Sequence, residues 1–192
     1  MSELRNAVVK IVQENGLERR DPPFTLASGE LSHDYMDGKR ALASGANLRM
    51  ACMALIELAN EQGAEFDAVG GLTLGADAFS TGIAMLTDKK WFVVRKQVKD
   101  HGKGQRVEGA ALGPGIRVLL VDDVVTTGGS ILDALEVVLA TGAEITLAVT
   151  LVDRGDAAAK KFADLGVPYQ PLITYKDLGI VAVGRDSVTS AR

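Results

Sequence analysis

The chain has 192 residues, of which 47% are hydrophobic and 24% charged, and a formal net charge of −4. That suits one globular domain, since a chain of this size buries roughly 70% of the surface it exposes when unfolded. The acidic balance argues against a nucleic-acid binder, no apolar run approaches the ~20 residues of a membrane span, and the single Cys52 excludes an internal disulfide and fits a reducing, cytoplasmic compartment.

Residues 2–15 place Leu4, Ala7, Val8, Ile11 and Val12 at helical spacing, ending at Gly16. No signal-peptide core is expected here. Pro22-Pro23 then breaks the chain, Phe24-Thr25-Leu26 forms a short extended piece, and 31–37 reads as the second strand of a hairpin. Residues 20–42 thus form a small lobe, or hood, on the N-terminal side. A helix is expected over 45–62, with Cys52 as core filling. A strand over 66–71 leads into the loop Leu72-Thr73-Leu74-Gly75, for whose two leucines simple packing is the alternative to a ligand contact. The helix over 76–86 is expected to be capped by Asp77. A strand over 90–95 precedes residues 97–110, which are polar, glycine-containing and without period. Next come a strand at 118–121, a helix from Gly129 or Ser130, a strand over 145–152, a helix over 156–165, a strand over 169–173 and a helical turn at 175–178. Strands alternating with helices predict an α/β fold, a doubly wound and mostly parallel sheet, in a single domain over 1–192. Ligands bind at the carboxyl ends of such strands, where the loops after Gly71, Arg95, Val121 and Val152 converge.

The most informative stretch is Val118-Leu119-Leu120-Val121-Asp122-Asp123-Val124-Val125-Thr126-Thr127-Gly128-Gly129-Ser130. Four aliphatic residues predict a strand buried on both faces, with the two carboxylates just beyond its end. Backbone N–H groups of the following loop, the hydroxyls of Thr126, Thr127 and Ser130 and a helix N-terminus together make an anion site. Asp122 and Asp123 would repel a phosphate but suit the hydroxyls of a sugar beside it, or a cation. The combined expectation is a sugar phosphate; a polar strand-to-helix turn is the alternative. No lysine follows the glycines, so this is not a Walker loop, and the GxGxxG dinucleotide pattern is missing.

A second stretch is cationic. Seven Lys/Arg and one acid, Asp100, lie between Lys89 and Arg106. A glycine-bearing basic loop of this length reads as a lid over a multiply charged anion such as a diphosphate, or as a solvated charged loop.

The thirteen-residue stretch closely resembles the signature of the type I phosphoribosyltransferases, which bind 5-phosphoribosyl 1-diphosphate. The order Arg95-Lys96-x-x-Lys99-x-His101-Gly102 resembles the catalytic loop of the orotate phosphoribosyltransferases. Phe24-Thr25-Leu26-Ala27-Ser28-Gly29 is similar to that family's early turn, with Ala27 where many members carry a lysine. Gly70-Gly71-Leu72-Thr73-Leu74-Gly75 is similar to its diphosphate loop, with Thr73-Leu74 where many have Tyr-Lys.

The resemblance implies transfer of phosphoribosyl to orotate, giving orotidine 5'-monophosphate and diphosphate in pyrimidine synthesis. It implies sugar-diphosphate contacts from Arg95, Lys96, Lys99, His101, Thr73, Leu74, Gly75, Asp122, Asp123 and the loop Val124, Val125, Thr126, Thr127, Gly128, Gly129 and Ser130. Catalytic roles would fall to Lys99, His101, Arg95, Asp122 and Asp123. Orotate would meet Tyr35, Met36, Thr126 and Arg154; Tyr35 reads equally as a hood tyrosine, while for Arg154 the orotate carboxylate is favoured over a surface ion pair with Asp153. Mg²⁺ would arrive with the diphosphate, touching Asp122 or Asp123 through water. The resemblance also implies a homodimer in which Lys96, Lys99 and His101 reach the neighbouring subunit's site. The alternatives are a phosphoribosyltransferase for a purine or uracil, or a non-catalytic regulator that senses the sugar diphosphate.

Overall fold

The computed structural model describes residues 2–26, 29–97 and 105–183. Lys99 and His101 of the basic loop, and Ala27 and Ser28 of the early turn, lie outside the described residues.

Helix α1 (Glu3–Asn15) starts at Ser2, whose hydroxyl accepts the Arg5 N–H, and buries Val8 and Val12. A hairpin follows, β1 (Leu17–Thr25) antiparallel to β2 (Leu31–Met36), then the short helix α2 (Gly38–Ala41) and the long helix α3 (Gly45–Glu61). The alternating part runs β3 (Ala68–Leu72), α4 (Asp77–Thr87), β4 (Lys90–Val94), β5 (Val107–Gly109), β6 (Arg117–Val125), α5 (Gly129–Leu139), β7 (Glu144–Asp153), α6 (Ala157–Asp164), β8 (Tyr169–Thr174) and α7 (Tyr175–Leu178). No helix among the described residues is long and apolar enough to cross a membrane.

The six-stranded sheet has the order β5-β4-β3-β6-β7-β8 and is parallel except for β5. Side chains alternate across β6. Leu119 and Val121 join α1, α3 and α4 residues on one face, while Val118 and Leu120 pack with Ile131, Leu135 and Phe162 on the other. Burial on both faces explains the unbroken aliphatic run. From β3 the chain steps outward to β4 and later returns across β3 to β6. The direction of winding therefore reverses between β3 and β6, and a crevice opens there at the strands' carboxyl ends.

Four expectations are corrected. Strand β6 continues to Val125, so Asp122 and Asp123 lie within it rather than beyond it. The hairpin's first strand starts at Leu17 and runs through Pro22-Pro23. Its pairing skips from Arg19 to Phe24, so neither proline is asked to donate a ladder hydrogen bond. Residues 107–109, expected to be irregular, form an antiparallel edge strand on β4. Helix α2 was not anticipated, because four residues show no period.

Candidate active site

The end of β6 and the start of α5 enclose a cavity of about 170 Å³ lined by Asp122, Val124, Val125, Thr126, Thr127, Gly128, Gly129, Ser130 and Ile131. Gly128 takes φ +84°, which a side chain would strain, and turns the chain into α5. No side chain caps α5, so its first-turn N–H groups remain donors for a ligand anion, with the helix dipole behind them. Lys161 on α6 donates to the Thr127 carbonyl at 2.8 Å, bringing a cation to the loop. Sequence reading missed it, because a Lys-Lys pair in an exposed helix carries no signal.

Asp122 is buried and Asp123 is partly open. Asp122 Oδ1 accepts the Asp123 N–H at 3.0 Å, and Asp123 Oδ1 accepts the Val124 N–H at 2.8 Å. Burial pushes the Asp122 carboxyl well above the usual carboxylate range, and the adjacent Asp123 charge adds to it. The loop after β3 approaches this pair closely. A Cβ on Gly75 would lie 2.5 Å from Asp122 Oδ1 and 2.7 Å from Asp123 Oδ1, so a side chain there would displace the loop or the two carboxylates. The Thr73 N–H donates to the Val94 carbonyl at 2.9 Å. Leu72 is buried, but Leu74 is 74% exposed.

Asp77 does not cap α4; Ala76 holds the cap position and Asp77 the first helical one. Its Oδ1 is buried without a hydrogen-bond partner, and burial raises its carboxyl against the pull of the Lys39 charge. Lys39 itself was not foreseen. Its ammonium reaches Asp123 Oδ2 at 2.5 Å across 84 residues of sequence. Burial alone would lower the Lys39 ammonium, but the hydrogen bond and charge of Asp123, with Asp122 and Asp37, hold it above its usual value.

On the other side of the crevice, Arg154 follows β7. Asp153 and Arg154 do not form a surface pair: both are buried, and they point to different partners. Asp153 accepts the Gly155 N–H at 3.0 Å and the Tyr169 hydroxyl at 2.8 Å. Arg154 Nη2 donates to the Asp34 carbonyl at 2.9 Å and contacts Ser32 Oγ at 3.3 Å, so the guanidinium meets the hairpin. Its Nε is buried without a partner. Tyr35 lies on the same strand, edge-to-face with Phe24 at 5.5 Å, with the Arg20 guanidinium 4.1 Å from its ring centroid. Met36 alternates to the other side of β2 and belongs to the main core cluster, not to an open rim.

The described part of the basic loop is largely tied down. Arg95, just past β4, pairs with Glu108 on β5 at 2.9 Å. Arg106 forks onto Asp133 of α5 at 2.9 and 2.5 Å, which makes it an anchor. Lys96 is exposed.

No group of three or more His, Cys, Asp or Glu among the described residues could hold a metal ion by itself. Two adjacent carboxylates do fit a hard cation whose remaining ligands are water and substrate phosphate oxygens.

The family model described as "Phosphoribosyl transferase domain" matches residues 40–170. An orotate phosphoribosyltransferase of Pyrococcus furiosus is 40% identical over 155 residues, 81% of this chain and 85% of the relative. One from Rhodopirellula baltica is 38% identical over 182 residues, 90% of this chain and 93% of the relative. Among solved structures, Mycobacterium tuberculosis orotate phosphoribosyltransferase in complex with 5-phospho-alpha-D-ribosyl 1-diphosphate superposes with a TM-score of 0.76. It is 32% identical, with 92% of this chain and 99% of that chain covered.

Proposed function

The chain belongs to the phosphoribosyl transferase domain family, and from that premise we propose that it is an orotate phosphoribosyltransferase, making orotidine 5'-monophosphate and diphosphate for pyrimidine biosynthesis. The observation that carries this reading is the convergence, where the sheet reverses its winding, of three things. They are an uncapped helix N-terminus behind a 170 Å³ cavity, the Asp122–Asp123 pair, and a loop whose Gly75 rides directly on that pair. One sugar phosphate spans all three, with its 5-phosphate on Thr126 to Ser130, its hydroxyls on the carboxylates and its 1-diphosphate along Thr73 to Gly75.

In the reaction the bond from the anomeric carbon to the diphosphate oxygen breaks, and its electron pair leaves with diphosphate. Positive charge builds on the ribose ring, where Asp122 and Asp123 stabilise it. Arg95, Lys96, Lys99 and His101 meet the growing charge on the leaving group. The orotate ring nitrogen forms the new bond from a position set by Tyr35 and Thr126, and its proton ends on the departing diphosphate, with His101 or Lys99 as the acid that delivers a proton there. Asp122 or Asp123 would hold, through water, a Mg²⁺ arriving with the diphosphate, and that ion would supply further charge neutralisation.

The buried Nε of Arg154, facing no partner beside the hairpin, favours a base that brings its own carboxylate. That distinguishes orotate from uracil and the purines. The working unit is a cytoplasmic homodimer in which Lys96, Lys99 and His101 cover the neighbouring subunit's site. Incubating the protein with Mg²⁺, 5-phosphoribosyl 1-diphosphate and one base at a time tests the assignment. Loss of orotate absorbance with matching diphosphate release supports it. Turnover of a purine or uracil in preference to orotate would overturn it, and no turnover with any base would favour a sensing role.

A further inference from the structure

We propose that Lys39 is a substrate-binding cation of this site: it rests on Asp123 when the site holds no sugar and moves to the 1-diphosphate when the sugar diphosphate enters. The assignment rests on the function proposed above and adds to it a residue contributed by α2.

The placement comes from the backbone. Asp37 caps α2 by accepting the Arg40 N–H. Gly38 then packs so closely on the end of β6 that a Cβ there would sit 3.2 Å from Val124 Cγ2 and 3.6 Å from Asp123 Cβ. Lys39 is thereby fixed at the rim of the crevice, with its ammonium 2.5 Å from Asp123 Oδ2. The opposite oxygen of that carboxylate is taken by the Val124 N–H. A ribose hydroxyl at Asp123 therefore competes with Lys39 for the acceptor sites that the Val124 N–H leaves open. The lysine side chain is 60% exposed, so it gives up the contact with little desolvation.

The surroundings explain where it goes. Its charge interacts with those of Asp37, Asp77, Asp122 and Asp123. A diphosphate arriving at the Gly75 loop meets this acidic cluster, and Thr73, Leu74 and Gly75 bring no charge of their own. Arg106 is held by Asp133. Lys39 is already within hydrogen-bonding distance of the acid that Gly75 overlies, and a lysine stem reorients over several ångströms at small cost. Exchanging Asp123 for the diphosphate frees the carboxylate for ribose and places the cation on the leaving group in one movement.

Calorimetric titration of two ligands separates this role from a structural one. Ribose 5-phosphate has the 5-phosphate and hydroxyls but no diphosphate; 5-phosphoribosyl 1-diphosphate has all three. Lys39→Ala should weaken binding of the diphosphate ligand about 10- to 100-fold, as for a lost charge-assisted hydrogen bond. It should leave ribose 5-phosphate binding unchanged or tighter, because Asp123 is no longer occupied. Lys39→Arg should recover most of the loss. Equal weakening of both ligands, or no weakening of either, would overturn the assignment. If the wild-type protein binds neither ligand, the proposed function fails and takes this assignment with it. If it binds both while Lys39→Ala behaves as wild type, only the lysine's role is lost.

Discussion

Replacing Arg154 by Gln tests how the base is read. Arg154 is 2% exposed, with one nitrogen donating to the Asp34 carbonyl at 2.9 Å and Nε left without a partner. Burial lowers the arginine from its usual value, opposed by the Asp34 charge, so the fold already bears a cost for keeping this cation dry. A buried donor without a partner costs about 1–3 kcal/mol, and a ligand carboxylate that satisfies it returns that energy. Orotate should therefore raise the melting temperature of the wild-type protein when sugar diphosphate is present. Arg154→Gln should abolish that rise and lower kcat/KM for orotate by about 10- to 150-fold, the equivalent of roughly 1.5–3 kcal/mol. Binding of the sugar diphosphate should stay within about twofold, because Asp122, Asp123 and the loop from Thr126 to Ser130 are untouched. Steady-state kinetics with orotate varied, together with thermal shifts for each ligand separately, give the comparison. A variant that keeps near-normal kcat/KM for orotate, or that loses sugar diphosphate binding to the same degree, would refute the carboxylate-reading role.

Gly75→Ala forces a Cβ to within 2.5 Å of Asp122 Oδ1, so the loop or the acids must shift; kcat/KM for the sugar diphosphate should fall at least about tenfold, as misplaced catalytic groups do, and unchanged kinetics would deny the close approach any function. Asp122 titrates above its ordinary value in the fold, so the unfolded chain loses its proton first and stability falls as pH rises between those two values, then stays level. Asp122→Asn should accordingly raise the melting temperature at pH 8, by about 2–4 °C for each kcal/mol relieved, give no gain at pH 3, and lose most activity; equal effects at both pH values would show that the burial penalty has been misassigned. Mixing Lys99→Ala with Asp123→Asn chains should restore roughly a quarter of wild-type turnover, since half the dimers of a two-fold assembly are mixed and each carries one intact site. Titrating one variant against the other reads this, and no recovery would mean that each site is built from one chain.

What the sequence disclosed was local chemistry joined to periodicity. The run Val118 to Val121 announced a strand covered on both faces, and the residues after it announced a helix start; both stand in β6 and α5. The acids were placed one step too far along because nothing in an Asp-Asp pair marks the last residue of a strand. Pro22-Pro23 read as a break because a sheet interior cannot hold two prolines, whereas a two-stranded ribbon with shifted pairing can. Elements of three and four residues, β5 and α2, are shorter than the window over which any period can be counted. The contacts least visible in sequence join distant positions: Lys39 with Asp123, Arg154 with Asp34, Lys161 with Thr127. Each depends on how the sheet's winding brings separate loops to one end. Tyr35 carries a guanidinium over its ring for the same reason, since Arg20 reaches it only through the hairpin.

A crystal structure of the protein soaked with Mg²⁺ and 5-phosphoribosyl 1-diphosphate addresses the central claim directly. The 5-phosphate should occupy the cavity between Thr126 and Ser130, with the ribose hydroxyls on Asp122 and Asp123 and the diphosphate against Gly75. Density for the sugar at any other place, with the β6–α5 junction left to solvent, would contradict it.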